Sequence, residues 1–189
     1  MALFGSYRSN RFVIPQLTRR AGLTRYRGTA LGLIWSLLTP MLMLAIYTFV
    51  FGLVLEIRWP AQEGGLARFP AILFSGMIIH SLLSDCLIQS TTVIADNPQY
   101  VKKVVFPLEA LPWVTVLSAL FQAGISLFVL ILYLLGLLLL ENDHSFGWTV
   151  VFIPLPFVMI SIVCLGIGWF VSAAAVYFRD IGQLMGVIS

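Results

Sequence analysis

Trp113-Val-Thr-Val-Leu-Ser-Ala-Leu-Phe-Gln-Ala-Gly-Ile-Ser-Leu-Phe-Val-Leu-Ile-Leu-Tyr-Leu-Leu-Gly-Leu-Leu-Leu-Leu140 runs for about 28 residues without a charge. A bilayer's hydrocarbon core is crossed by about 20 apolar residues in a helix. Lipid offers the backbone no hydrogen-bond partners, so a run of this length is read as a transmembrane α-helix. It also exceeds a simple crossing, and tilt absorbs the excess.

The rest of the chain agrees. Of its 189 residues, 60% are hydrophobic and 10% charged, with a mean hydropathy of +0.99. A soluble domain carries about 25% charged residues. Three further runs read as spans, Ala30–Leu55, Phe69–Ala95 and Trp148–Val176. Pro40 is expected to kink the first, and Pro154 and Pro156 to break or kink the last near one end. After Tyr177-Phe-Arg-Asp180 the sequence turns apolar again (Ile181, Leu184, Met185, Val187, Ile188), which reads as the start of a fifth helix or a tail lying along the membrane surface. The fold class is therefore an all-α polytopic membrane helix bundle, with four full spans plus the start of a fifth.

Charge gives the expected orientation. With the N-terminus cytoplasmic, that side holds Arg8, Arg11, Arg19, Arg20, Arg25, Arg27, Lys102, Lys103 and Arg179, against Arg58 and Arg68 outside. Nine basic residues against two follow the positive-inside rule. Residues 1–29 hold six arginines and no apolar core ending in small residues, so the first span is expected to act as its own insertion signal.

Between the second and third spans lies Pro98-Gln-Tyr-Val-Lys-Lys-Val-Val-Phe-Pro-Leu-Glu-Ala-Leu-Pro112. A segment that only joined two spans could be short and hydrophilic. This one holds Tyr100, Val101, Val104, Val105, Phe106, Leu108 and Leu111 beside Lys102 and Lys103 at the membrane edge, a composition suited to docking another protein. The N-terminal segment 11–27 mixes arginines with Ile14, Leu17 and Ala21 at helical spacing and Pro15 in a plausible first turn, as in a basic amphipathic helix lying in the headgroup layer. Read blandly, it is an orientation signal and nothing more. Gly28 and Gly32 form a small-xxx-small pair that admits a neighbouring helix, a weak signal in apolar sequence. Gly168 and Ser172 form another, read as tight packing.

Inside the second span, Ser81, Asp85 and Gln89 share a helix face. An intramembrane carboxyl is a functional candidate by default; its bland reading is a hydrogen bond within or between helices. His80 is offset from Asp85 by about 140° on a helical wheel and forms no obvious relay with it. Cys86 and Cys164 have neither disulfide nor metal spacing and read as small apolar packing. The two lysines, Lys102 and Lys103, leave no GxxxxGK[ST], and no HExxH, GxSxG or Cys/His metal set occurs. An ATP-driven process would need another chain to hydrolyse the nucleotide.

Three assembled motifs resemble one family. Arg25-Tyr-Arg-Gly-x-x-Leu-Gly-x-x-Trp-x-x-x-x-Pro40, Tyr100-Val-Lys-Lys-Val-Val-Phe-Pro-Leu-Glu-Ala-Leu-Pro112 and Tyr177-Phe-Arg-Asp-Ile181 are similar, in order and spacing, to ABC-2 type permeases that export polysaccharides. The flavour is that of O-antigen (lipopolysaccharide) permeases, with capsule and teichoic-acid exporters as near relatives. The likeness extends over essentially all of residues 1–189, although the family has six spans. It implies a homodimeric, multi-pass permease of the bacterial cytoplasmic (inner) membrane that moves a lipid-linked polysaccharide outward. It implies no cofactor in this chain, with ATP and Mg held by a partner ABC ATPase subunit, and no nucleic-acid partner. Residues 96–112 would be the cytoplasmic coupling segment, with Tyr100, Val101, Lys102, Lys103, Phe106, Pro107, Glu109 and Pro112 facing the ATPase. Arg25, Tyr26, Arg27 and Gly28 would lie at the same interface. Trp35, Tyr47, Phe49 and Phe51 are candidate channel-lining residues for sugar stacking, with Asp85 beside them. Two readings compete: a truncated, non-transporting membrane interaction protein, and a membrane enzyme or proton-coupled carrier using Asp85 and His80.

Overall fold

In a computed structural model, the chain is described at residues 13–24, 32, 34–55, 68–94, 110–141, 154–178 and 180–188. These residues form helices: α1 (Val13–Thr24), α2 (Ile34–Tyr47) running into a π-helical turn (Thr48–Val54), α3 (Arg68–Thr92), α4 (Leu111–Glu141), α5 (Pro154–Tyr177) and α6 (Ile181–Ile188). Four of these stretches, Ile34–Gly52, Phe69–Thr92, Leu111–Leu137 and Leu155–Tyr177, are long and apolar enough to cross a membrane. The four-span reading holds, with corrections at the ends.

The first span begins at Ile34, and Ala30 lies outside the described residues. Gly32 precedes the helix at φ +52°, and its carbonyl accepts the Trp35 amide at 3.2 Å. That left-handed backbone suits glycine and ends any helical run through it. The Gly28/Gly32 pair is therefore not one face of a helix: Gly32 shapes the turn into α2, and Gly28 lies outside the described residues. At its far end α2 widens where the Thr48 hydroxyl donates to the Leu44 carbonyl at 2.8 Å, the acceptor that the α register assigns to Thr48's own amide.

Pro154 opens α5 and Pro156 follows in its first turn, so neither interrupts the helix interior. Proline's missing N–H costs nothing in a first turn, where amides have no intrahelical acceptor. Residues 148–153 lie outside the described residues. The apolar tail forms α6, which packs on α3: a side chain at Gly182 would lie 3.5 Å from Thr91 Oγ1. Asp180 stands at its N-cap position, its carbonyl accepting the Gln183 and Leu184 amides, both at 3.1 Å.

Helices α3 and α4 form the centre. Leu44 of α2, Phe74, Ile78 and Leu82 of α3, and Ala123, Val129 and Leu130 of α4 make one buried cluster. Cys86, Val116, Ala119 and Cys164 make a second, joining α3, α4 and α5. Both thiols are free and buried, as apolar packing requires. A third cluster seats α1 on the start of α4.

Candidate functional site

The first turn of α4 emerges directly from residues 96–112 and is gripped on several sides. Ile14 of α1 is 0% exposed and packs with Ala110 and Val114, with Leu17, Trp113 and Leu117 around them. Arg19 and Arg20 are exposed. Helix α1 thus packs Ile14 and Leu17 on the start of α4 and leaves Arg19 and Arg20 outward. Trp113 meets Trp169 of α5 edge-on, with ring centroids 6.3 Å apart. A β-carbon at Gly168 would sit 3.1 Å from Ser90 Oγ of α3 and 3.8 Å from Pro112 Cβ, so the absence of a side chain there lets three helices converge. Ser172, one turn on, is buried too, and the small-xxx-small reading of this pair stands.

The helices that flank residues 95–109 are both packed at this junction. Ser90 and Thr91 tie the last turn of α3 to α5 and α6, while Ile14, Pro112 and the two tryptophans fix the first turn of α4. Pro112 is buried in this junction. Tyr100, Val101, Lys102, Lys103, Phe106, Pro107 and Glu109 lie outside the described residues, as do Arg25, Tyr26, Arg27 and Gly28.

The aromatic candidates on α2 divide into two groups. Tyr47 and Phe51 are half-buried and stack with each other (6.2 Å), Tyr47 against Phe74 (6.4 Å) and Phe51 against Phe69 (5.7 Å). Trp35 and Phe49 are 38% and 59% exposed. Phe49 also lines a cavity of about 580 Å³ between α2 and α4, with Leu37, Met41, Leu44, Leu132 and Tyr133 in its wall. There the Thr48 and Tyr133 hydroxyls lie 3.3 Å apart and are hydrogen-bonded.

Asp85 is half-buried in α3. Its expected face-mates go separate ways. Ser81 donates to its own helix, to the Ile78 carbonyl at 2.9 Å. Gln89 reaches α4, where Ser118 Oγ shares its proton between Gln89 Oε1 (3.0 Å) and the Thr115 carbonyl (2.8 Å). Ser118, and Gln122 which donates to the Ser36 carbonyl of α2 at 3.4 Å, escaped the sequence reading. With Thr115 and Ser126 they recur every three or four residues along one face of α4, and that polar period was the signal available.

A family model described as ABC-2 type transporter matches residues 13–189, from the first residue of α1 through every described helix. The chain belongs to the ABC-2 type transporter family. Among its relatives is the O-antigen export system permease protein RfbA of Myxococcus xanthus, 27% identical over 175 residues, covering 93% of this chain and 63% of the relative. A protein of the same name from Klebsiella pneumoniae is 26% identical over 165 residues, covering 86% of this chain and 59% of its own length. A second from that organism is 24% identical over 165 residues, again with 59% of its length covered. The chain thus spans about three-fifths of the relatives it matches. The junction of α1, α3, α4 and α5 lies wholly within the ABC-2 match.

Proposed function

We propose that this ABC-2 chain is the permease subunit of an ATP-driven exporter that carries a lipid-linked polysaccharide of the O-antigen type across the bacterial inner membrane. It would act as a homodimer with two copies of a separate ABC ATPase. In this reading the N-terminus is cytoplasmic, residues 96–112 dock on the ATPase, and α1 lies at the same interface. The observation that carries it is the seat of Ile14 against Ala110 and Val114, which clamps α1 to the helix that leaves the docking segment. A contact of that kind turns movement of a surface segment into movement of a span. The names of the relatives support the cargo class.

Affinity purification from native membranes tests the assembly. A stoichiometric ATPase and a two-fold permease content are expected, with lipid-linked polysaccharide accumulating inside when the permease is depleted. A permease that purifies without an ATPase would sink the reading. Lys102→Glu with Lys103→Glu should weaken that co-purification, since both charges would face the partner.

A further inference from the structure

Exposed side chains on three of the four spans are mostly of the kind lipid accommodates. On α5 they include Leu155, Val158, Met159, Ile162 and Phe170, and on α4 Phe121, Phe128, Ile131 and Leu135. Helix α3 differs. Beside exposed Ile72, Met77 and Ile88 it also exposes Ser75, His80, Ser81 and Thr92, with Ser84 and Asp85 half-exposed. At about 100° per residue, His80, Ser84 and Ser81 fall within an arc of about 100°. That arc turns away from Ile78, Leu82 and Cys86, which fill the core.

A serine can be accommodated in lipid by bonding back to its own helix, as Ser75 does to the Ile72 carbonyl (2.7 Å) and Ser81 to that of Ile78 (2.9 Å). An imidazole has no such escape. Among the described residues the ring of His80 has one hydrogen bond, between Nδ1 and Ser84 Oγ at 3.5 Å. His80 is also the middle residue of the 25-residue α3. It stands about 18 Å from either helix end, beyond the reach of a short side chain to the headgroups. Polar groups at that depth face a bundle interior or a water-filled path.

We infer that the face of α3 centred on His80 and Ser84 is a wetted wall of the transport path, offering hydrogen bonds to a polyhydroxylated chain. Imidazole and hydroxyl both donate and accept, and single weak partners let a polymer slide where a dense set would hold it. This rests on the exporter reading for its cargo and on the structure alone for its wetness.

Cysteine accessibility in native membranes separates the two. His80→Cys and Ser84→Cys are compared with Ile162→Cys and Phe170→Cys on the apolar face of α5. The thiolate, which forms only where water reaches, attacks the sulfenyl sulfur of a charged, water-soluble methanethiosulfonate and displaces methanesulfinate. The α3 positions should therefore react at least about ten-fold faster. After denaturation, maleimide should label one thiol more in each variant than the two native ones, Cys86 and Cys164, showing that the introduced thiol is present and unmodified. Equal, slow reaction of His80→Cys and Ile162→Cys overturns the inference, whether lipid or a second copy of the chain covers the face. His80→Leu should then lower export at unchanged ATP hydrolysis, and unchanged export would remove the contact with cargo. Loss of ATPase co-purification would strike the exporter reading and leave the labelling contrast intact.

Discussion

Gln122 of α4 donates its side-chain amide to the Ser36 carbonyl of α2 at 3.4 Å. That carbonyl is the one Pro40, four residues on, has no N–H to address. Pro40, where the sequence leads us to expect a kink, lies inside α2, and a neighbouring helix supplies a donor to the carbonyl it leaves without one. Gln122→Leu removes that donor and should cost about 1 kcal/mol, the scale of interhelical hydrogen bonds in membranes. In a Pro40→Ala background the backbone supplies its own N–H and the cost should nearly vanish. Thermal unfolding of the four proteins in detergent checks this; an equal loss in both backgrounds would rule out the shared carbonyl.

Ile14 is the anchor of α1. Ile14→Ala empties a filled site and should weaken the α1–α4 contact by about 2–5 kcal/mol, while Ile14→Val should cost about 1 kcal/mol. Limited proteolysis should cleave near α1 faster in the alanine variant. If the coupling role is right, export falls further than ATP hydrolysis in Ile14→Ala, and both stay near wild type in Ile14→Val.

Gly168 and Gly166 offer a paired comparison two residues apart. A methyl at Gly168 would press on Ser90 Oγ, whose hydroxyl is already committed to the Cys86 carbonyl at 2.6 Å. Nothing lies within 4 Å of a methyl at Gly166. Gly168→Ala should destabilise by about 1–3 kcal/mol through overpacking. Gly166→Ala should be neutral or stabilising by up to about 1 kcal/mol through helix propensity. Ser90→Ala should relieve Gly168→Ala, and the melting temperatures of the single and double variants measure it.

Cys86 and Cys164 pack in one cluster with Val116 and Ala119. Thiols buried among packed side chains are out of reach of a water-soluble reagent. Neither should be modified by a water-soluble maleimide in the folded protein, and both should be modified after denaturation. Labelling of either thiol in native membranes would contradict the packing of α3 against α5.

Much of the bundle was legible beforehand. The run from Trp113 to Leu140 lies inside α4, observed as Leu111–Glu141, because bilayer thickness constrains length and composition together. The N-terminal helix was visible through Ile14 and Leu17, since a segment with water on one side must sort its side chains by face. Pro154 marked a boundary correctly, although it opens α5 where a break or kink within a longer span was expected. The polar face of α3 was read in part: Ser81, Asp85 and Gln89 share a sequence period, yet Gln89 turned out to belong to α4's side and His80 to the open one.

Sequence by itself determined how many times the chain can cross a membrane, where those crossings lie and which family it joins, because lipid imposes length, apolarity and a self-satisfied backbone on each span. Tertiary structure decided which faces meet: Cys86 with Cys164, Gly168 beneath Ser90, Gln122 on the Ser36 carbonyl, Ile14 against Ala110. The reason is that lipid tails and a packed protein core are equally apolar, so hydrophobic pattern cannot tell the inside of such a bundle from its outside. Shape and scattered hydrogen bonds make that choice, and they exist only once the helices are together.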